Sequence, residues 1–273
     1  MKMLPTPCTS HVSFDTIYEP SEDSYLFLDT LASTSESAWL TQRFNATPSS
    51  PDQSTASPLV VEIGTGSGVV LGFVAANSQV IFGRRDILPL GIDVNRNACI
   101  ATRETANKAI KERQTDTESE EANSPKTVYL SSVMADLGSS LRPGSVDVLL
   151  FNPPYVPSED LPRLPSVTEQ DVDETGMSRS AKFERDSYFL SLTYAGGRDG
   201  METTDRLLDE IPGLLAPGRG VAYVLFCAQN RPQEVKERIR AWGNGWQAET
   251  VGNSGQQAGW EKLVIVRIWK ETA

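Results

Sequence analysis

The chain has 273 residues, of which 39% are hydrophobic, so it is long enough for one α/β domain with a substantial core and insertions. Acidic residues outnumber basic ones 36 to 25, which gives a net charge of −11, and no cluster of lysine or arginine is visible. Because proteins that dock on phosphate backbones usually carry a basic face, the composition disfavours direct contact with nucleic acid.

The first half of the chain predicts alternating helices and strands. Apolar residues at near-helical spacing predict the helices, and short β-branched runs predict the strands. The predicted elements are a loose lead-in over 1–17, a helix over 19–31, a strand over 58–64, a helix over 69–77, a strand over 89–94, a helix over 95–114 and a strand over 127–133. Residues 33–57 are rich in Ser, Thr and Pro, so most of them are interpreted as a polar loop or a frayed helix end.

The second half continues the alternation. The predicted elements are a strand over 146–152, a helix over 204–215, a strand over 220–227, a helix over 232–242 and a strand over 261–270. Such alternation predicts a largely parallel sheet with helices on both faces. We interpret residues 1–273 as a single domain with polar insertions near 33–57, 111–126 and 157–187.

A glycine loop follows the first predicted strand in "VEIGTGSG", with glycines at 64, 66 and 68. Ligands of parallel α/β sheets bind beyond the carboxyl ends of the strands, where this loop is expected. The spacing differs from the dinucleotide fingerprint G-x-G-x-x-G, because Val69 occupies the third glycine position, and no Lys-Ser/Thr follows to make a phosphate loop. An ordinary turn is the alternative interpretation.

Acidic residues end the next two predicted strands. Asp93 can accept hydrogen bonds from ribose hydroxyls, and Asp136 of "MADL" can accept one from an adenine amino group. Together with Glu62 before the loop, they favour an adenosine ligand with a cationic sulfonium tail over a dinucleotide. Helix capping is the alternative for either aspartate alone.

The fourth predicted strand ends in "FNPPY". Pro153 and Pro154 cannot donate backbone hydrogen bonds, so the ladder stops there and a stiff platform presents the Asn152 carboxamide and the Tyr155 ring. Elsewhere the chain has three widely spaced cysteines and a single histidine, which disfavours a zinc site or a histidine-based triad. A cap on the turn before the prolines is the alternative role for Asn152.

These motifs resemble class I S-adenosylmethionine-dependent methyltransferases that act on planar amino groups. "YEPSEDSYLFLDTL", "NPPYVPSEDL" and "AGGRDGMETTDRLL" are similar, more narrowly, to the eukaryotic branch of the HemK/PrmC glutamine methyltransferases. The resemblance spans most of residues 15–270. It implies a Rossmann-like fold with a seven-stranded, mostly parallel sheet and an antiparallel C-terminal strand. It also implies methylation of the glutamine amide in the GGQ motif of the eukaryotic class 1 release factor.

The resemblance assigns a role to each matched residue. The Asn152 oxygen and the Pro153 carbonyl would accept the two N–H bonds of the substrate amide, and Tyr155 would lie against its flat face. The predicted catalytic residues are Asn152, Pro153 and Tyr155, and the predicted substrate-binding residues are Asn152, Pro154 and Tyr155. The predicted S-adenosylmethionine-binding residues are Ser24, Glu62, Gly64, Gly66, Gly68, Asp93, Asp136, Leu137 and Asn152. No metal site is expected.

The resemblance also implies a heterodimer with a small zinc-binding activator subunit. The third strand lies at a sheet edge in this family, and here it is apolar and poorly protected by charge, so we expect the partner near Val128–Leu130. Coverage of the edge by residues 111–126 is the alternative. Other functions left open are methylation of nucleic-acid adenine, methylation of protein lysine, and a cofactor-binding scaffold without catalysis. Without an apolar leader or a membrane-length apolar run, we expect a cytoplasmic protein, with the nucleus as a second location.

Overall fold

A seven-stranded mixed sheet forms the centre of the molecule. The structure, a computed structural model, describes residues 4–45, 56–114, 126–170, 176–255 and 262–271. The strands are β1 (Leu59–Ile63), β2 (Leu88–Asp93), β3 (Ser131–Met134), β4 (Val148–Phe151), β5 (Val221–Cys227), β6 (Trp246–Asn253) and β7 (Leu263–Lys270). Their order is β3-β2-β1-β4-β5-β7-β6, with β1 to β5 parallel and β7 antiparallel to both neighbours. The predicted fold class is confirmed.

Helices cover the sheet on both faces. They are α1 (Glu22–Leu31), α2 (Thr34–Asn45), α3 (Val69–Ala76), α4 (Ser78–Phe82), α5 (Arg96–Arg113), α6 (Val167–Gln170), α7 (Arg179–Tyr194), α8 (Glu202–Leu214) and α9 (Pro232–Arg240). Alternate residues of β5 divide between two cores: Tyr223 packs with α1 to α4, whereas Val224 packs with α8 and α9. All seven β5 residues are buried, as a two-sided strand requires.

The interpretation of residues 33–57 as a polar loop or frayed helix end is wrong for 34–45, which form α2. This polar helix is anchored by a buried charge, since Glu36 accepts hydrogen bonds from Arg267 at 2.8 and 2.9 Å and from the Tyr223 hydroxyl at 2.9 Å. The Arg267 guanidinium also lies over the ring of Trp39, at 4.2 Å from the centroid. Residues 46–55 lie outside the described residues.

Residues 157–187 also contain more regular structure than predicted. They hold α6 and the first half of α7, whose N-terminal Ser178 caps the helix by accepting from the Ala181 N–H. Residues 171–175 lie outside the described residues. The predicted elements did not include β6, in which few positions are buried, or the short α4.

The lead-in over 1–17 is not loose where the structure describes it. Val12 and Ile17 are buried against Ala98 and Ala101 of α5. On the sheet edge, β3 begins at Ser131 rather than at 127. Most of the predicted insertion at 111–126 lies outside the described residues, so coverage of the edge by this segment stays untested.

Within the described ranges, no helix is long and apolar enough to cross a membrane.

Candidate active site

The glycine loop joins β1 to α3 in a conformation that favours glycine. Gly64 and Gly66 have φ values of 65° and 52°, in the left-handed region. The Gly66 N–H donates to Oδ2 of Asp93 at 2.9 Å, and Oδ1 of Asp93 accepts from the Asn95 N–H at 2.8 Å. Asp93 therefore ties the loop after β1 to the end of β2, and its carboxylate retains lone pairs for a ligand.

The side chain of Glu62 also holds the glycine loop in place. Its buried Oε2 accepts from the Thr65 hydroxyl at 2.9 Å and from the Leu71 N–H at 3.0 Å. Burial raises the pKa of Glu62 to about 8, from a usual value of 4.5. Glu62 thus fixes the shape of the loop and the start of α3.

Gly68 has a packing role instead of a place on the cavity wall. A Cβ atom at Gly68 would lie 2.6 Å from the Thr102 Cα, and φ is +75°. The residue lets α3 approach α5 closely. Among the glycines predicted for the cofactor, the structure brings Gly64 and Gly66 to the cavity, whereas Gly68 is not among the lining residues.

A cavity opens where the carboxyl ends of β1 to β4 meet. Most predicted site residues lie on its wall: Ser24, Glu62, Gly64, Gly66, Asp93, Asp136, Leu137, Asn152, Pro153 and Pro154. Asp136 is ion-paired with Arg206 of α8, a partner that the sequence did not suggest. Two distant segments, through residues 16–18 and residues 161, 162 and 164, supply part of the remaining wall, and α7 and α8 supply another part.

The side chain of Asn152 is held at this wall by a carboxylate from α1. Its Nδ2 donates to Oδ2 of Asp23 at 3.0 Å, and because an ionised carboxylate can only accept, this contact fixes which end of the amide is oxygen. Oδ1 of Asn152 is buried and has no hydrogen-bond partner among the residues that the structure describes. A buried acceptor without a donor is costly, so this oxygen suits an N–H group of a ligand.

Tyr155 follows the cavity-lining residues Pro153 and Pro154. It is half-buried, packs against the core on the α1 to α4 side and is not among the cavity-lining residues. From the neighbouring segment the resemblance named Ser24 for the cofactor site, but the contact between Asp23 and Asn152 was not predicted. These two residues are 129 positions apart in the chain, so only the "EPSED" motif pointed to the segment.

The cavity residues fit an adenosine ligand with a cationic tail. Asp93 offers acceptors for hydroxyl groups, and Ile92, Val94 and Leu137 offer apolar surface for a ring. Among the described residues, the carboxylates of Asp23, Asp93 and Asp136 and the carboxyl group of Glu62 line the cavity, together with the guanidinium of Arg206. The described residues hold no group of three or more His, Cys, Asp or Glu arranged for a metal ion.

Comparison with known proteins places the chain in a family. A scan of protein-family models gives no match. The chain is 30% identical to "Methyltransferase HEMK2" of Mus musculus, over 98% of the chain and 97% of that protein. The chain belongs to the HEMK2 family of methyltransferases. Its methyl donor is S-adenosylmethionine.

Two further similarities concern this methyltransferase. It is 28% identical to "eRF1 methyltransferase catalytic subunit mtq2" of Schizosaccharomyces pombe, over 98% of the chain and 96% of that protein. The solved structure of the Mtq2–Trm112 complex of E. cuniculi aligns with a TM-score of 0.49 at 22% identity, covering 94% of this chain and 99% of that chain.

Proposed function

We propose that this methyltransferase transfers a methyl group to the side-chain nitrogen of the glutamine in the GGQ motif of the eukaryotic class 1 release factor. A relative of nearly equal length, the S. pombe protein, carries eRF1 in its name, which supports this substrate. The observation that carries the proposal is the buried, unpaired Oδ1 of Asn152 at the cavity wall. A primary amide supplies the N–H group that this oxygen lacks.

The chemistry requires positioning more than a strong base. An amide nitrogen is a poor nucleophile because its lone pair is delocalised into the carbonyl group. When bound, S-adenosylmethionine supplies an electrophilic methyl group on a sulfonium sulfur. Asn152 orients the amide N–H, Asp23 keeps the Asn152 oxygen in place, and the stiff prolines limit reorganisation. The proton can leave to water after transfer, and alignment of this kind can supply roughly 7–11 kcal/mol of the barrier.

The direct test is mass spectrometry of the release factor after incubation with S-adenosylmethionine and this chain. We expect one added methyl group on the GGQ glutamine. Asn152→Ala should reduce kcat by about 10²–10³, by analogy with the loss of one oxyanion-hole donor. Wild-type turnover in this variant would contradict the role of Asn152.

The same experiment separates the competing substrates. A methyl group found on a lysine, or label incorporated into DNA or RNA but not into the release factor, would replace the glutamine proposal. Binding of S-adenosylmethionine without transfer to any of these substrates would favour the scaffold function.

We further propose that the chain is the catalytic subunit of a heterodimer with a small zinc-binding subunit. The name of the S. pombe relative includes "catalytic subunit", which supports a second subunit. Within the described residues β3 pairs only with β2, and Val128, Leu130 and Met134 at this edge are 55%, 47% and 38% exposed. An open apolar edge is suited to strand addition by another chain.

Co-expression with the candidate subunit tests this interface. Leu130→Glu places a charge on the edge, and we expect it to abolish co-purification of the two chains. Phe183→Glu is the matched control, because Phe183 is also apolar and exposed but lies on α7. Equal binding by both variants would argue against the edge, and a complex without bound zinc would argue against the zinc-binding character of the partner.

A further inference from the structure

Asn230 connects three parts of the chain behind the platform formed by Asn152–Tyr155. It lies just after β5 and is 3% exposed. Its Nδ2 donates to the carbonyl oxygens of Tyr155 at 3.2 Å and Asp199 at 2.9 Å, and its Oδ1 accepts from the Cys227 N–H at 2.8 Å. The donor on one side and the acceptors on the other fix the orientation of the amide.

The segment Gly196–Gly200 packs directly on the same platform. A Cβ atom at Gly196 would lie 2.4 Å from the Pro154 oxygen, and one at Gly200 would lie 2.0 Å from the Tyr155 oxygen. A backbone hydrogen bond also joins this segment to the residue after the platform, since the Gly196 N–H donates to the Val156 carbonyl oxygen at 2.8 Å. Such distances leave no room for a side chain, so glycine is required for the contact.

Two of these contacts, one from Asn230 and one from Gly200, meet at the Tyr155 carbonyl oxygen. Asn230 donates to it and Gly200 approaches it, yet neither residue is among those lining the cavity. Tyr155 is three residues from Asn152, and the intervening prolines transmit a displacement because their φ angles are fixed. A shift at the carbonyl therefore moves the Asn152 acceptor relative to the methyl donor.

We propose that Asn230 is a positioning residue for methyl transfer, which holds the Tyr155 carbonyl and through it the placement of Asn152. The inference rests on the proposed function of Asn152. A misplacement of about 1 Å far from the reacting atoms can cost on the order of 10² in rate, so the contact is expected to influence kcat.

The main test is Asn230→Asp, which keeps the shape and the acceptor for Cys227 but turns a donor toward carbonyl oxygens into an acceptor. We expect kcat to fall roughly 10- to 100-fold, while the Kd for S-adenosylmethionine stays within about twofold. Asn77→Asp is the matched control, since Asn77 is also 3% exposed and donates to a backbone carbonyl, that of Phe73 at 2.9 Å. Both variants should lose thermal stability, and only Asn230→Asp should lose kcat.

A second variant perturbs the Tyr155 carbonyl oxygen through a different neighbour, Gly200. Gly200→Ala introduces the clash with Tyr155 and also strains a φ of +68°. Its control is Gly213→Ala on α8, where an added Cβ meets nothing within 4 Å. We expect the kcat loss of Gly200→Ala to resemble that of Asn230→Asp, and Gly213→Ala to match wild type.

Hydrogen exchange provides a readout that does not depend on turnover. The Val156 N–H donates to Tyr194 O at 2.9 Å and the Ser158 N–H to Gly197 O at 3.0 Å, so both amides report on the platform. They should exchange faster in Asn230→Asp than in Asn77→Asp. If the wild-type protein transfers no methyl group, the proposed function fails. Hydrogen exchange then still tests whether Asn230 holds the Tyr155 carbonyl in place. Unchanged exchange, or wild-type kcat in both Asn230→Asp and Gly200→Ala, overturns the inference.

Discussion

The orientation of the Asn152 amide depends on one carboxylate, that of Asp23. Asp23→Ala leaves the Nδ2 donor without its acceptor, and an unsatisfied buried donor costs about 1–3 kcal/mol. If that cost is expressed in the transition state, kcat/KM for the release factor should fall roughly 5- to 150-fold. Steady-state kinetics measure the loss, and separate titration of S-adenosylmethionine shows how much of it comes from cofactor binding, because Asp23 also lines the cavity.

Asp29→Ala is the control for Asp23→Ala. Asp29 lies on the same helix, α1, but is exposed to solvent. Its removal alters the charge of the helix equally and leaves the contact with Asn152 intact. Equal activity of the two variants would show that the Asn152 amide needs no carboxylate to orient it.

The buried carboxyl of Glu62 makes stability depend on pH. Its folded-state pKa of about 8 lies above the usual 4.5, so the folded protein binds this proton more tightly than the unfolded chain does. The resulting stabilisation is complete below about pH 4.5 and is lost as the pH rises toward 8. Glu62→Gln retains an acceptor for Thr65 and Leu71 but cannot ionise.

Thermal unfolding of both proteins between pH 5 and pH 8 tests this linkage. The Tm of Glu62→Gln relative to wild type should increase as the pH rises, because wild type alone loses stability from this group. Other titrating groups are common to both proteins and cancel in the difference. A Tm difference that does not vary with pH would mean that Glu62 ionises normally in the fold.

Helix α2 is attached to the rest of the molecule by a buried ion pair as well as by the apolar side chains of Leu40 and Phe44. Glu36→Ala leaves the Arg267 guanidinium buried without its main partner, and breaking such a pair costs roughly 3–5 kcal/mol. Glu249 also pairs with Arg267, at 2.9 Å, but its side chain is 57% exposed, so Glu249→Ala should cost about 0–1 kcal/mol. Urea unfolding measures both free energies, and similar losses would contradict the anchoring role of Glu36.

This anchor also explains why α2 was not predicted. Its partners Tyr223 and Arg267 lie 187 and 231 positions away in the chain, so no local pattern in "TSESAWLTQRFN" reveals that Glu36 will be buried. Strands β4 and β5 were predictable because each is a continuous buried apolar run. Strand β6 escaped prediction because only two of its eight positions are buried.

The part of the candidate site that is formed by sequence motifs was predictable. The glycine loop, the strand-end acids and "NPPY" all lie at strand ends, where residue type and position follow from the parallel order. The part of the cavity wall formed by residues 16–18, 161, 162 and 164 was not predictable, because these residues meet the site only through tertiary contacts. The positions of Tyr155 and Gly68 likewise depend on tertiary packing, which the spacing of residues in the sequence does not reveal.

At the scale of the whole molecule, two segments that are distant in sequence, residues 16–18 and 161–170, border the cavity. Hydrogen bonds attach both segments to the connection between β2 and α5. Asn95 Nδ2 donates to the Thr16 carbonyl at 2.8 Å, which holds the N-terminal segment. Gln170 holds the other segment, because its Oε1 accepts from the Arg96 N–H at 2.7 Å and its Nε2 donates to the Val94 carbonyl at 2.9 Å. A cofactor enclosed by both segments should leave only when one of them detaches.

Gln170→Ala tests this closure. Removal of its two hydrogen bonds weakens the attachment of residues 161–170, so the dissociation rate of S-adenosylmethionine should rise roughly 5- to 150-fold, the worth of two net hydrogen bonds of about 0.5–1.5 kcal/mol each. Gln233→Ala, an exposed position on α9, is the control. Stopped-flow displacement gives both rates, and hydrogen exchange over residues 9–18 should slow when cofactor is bound. Equal dissociation rates in Gln170→Ala and Gln233→Ala would mean that residues 161–170 do not have to detach before the cofactor leaves.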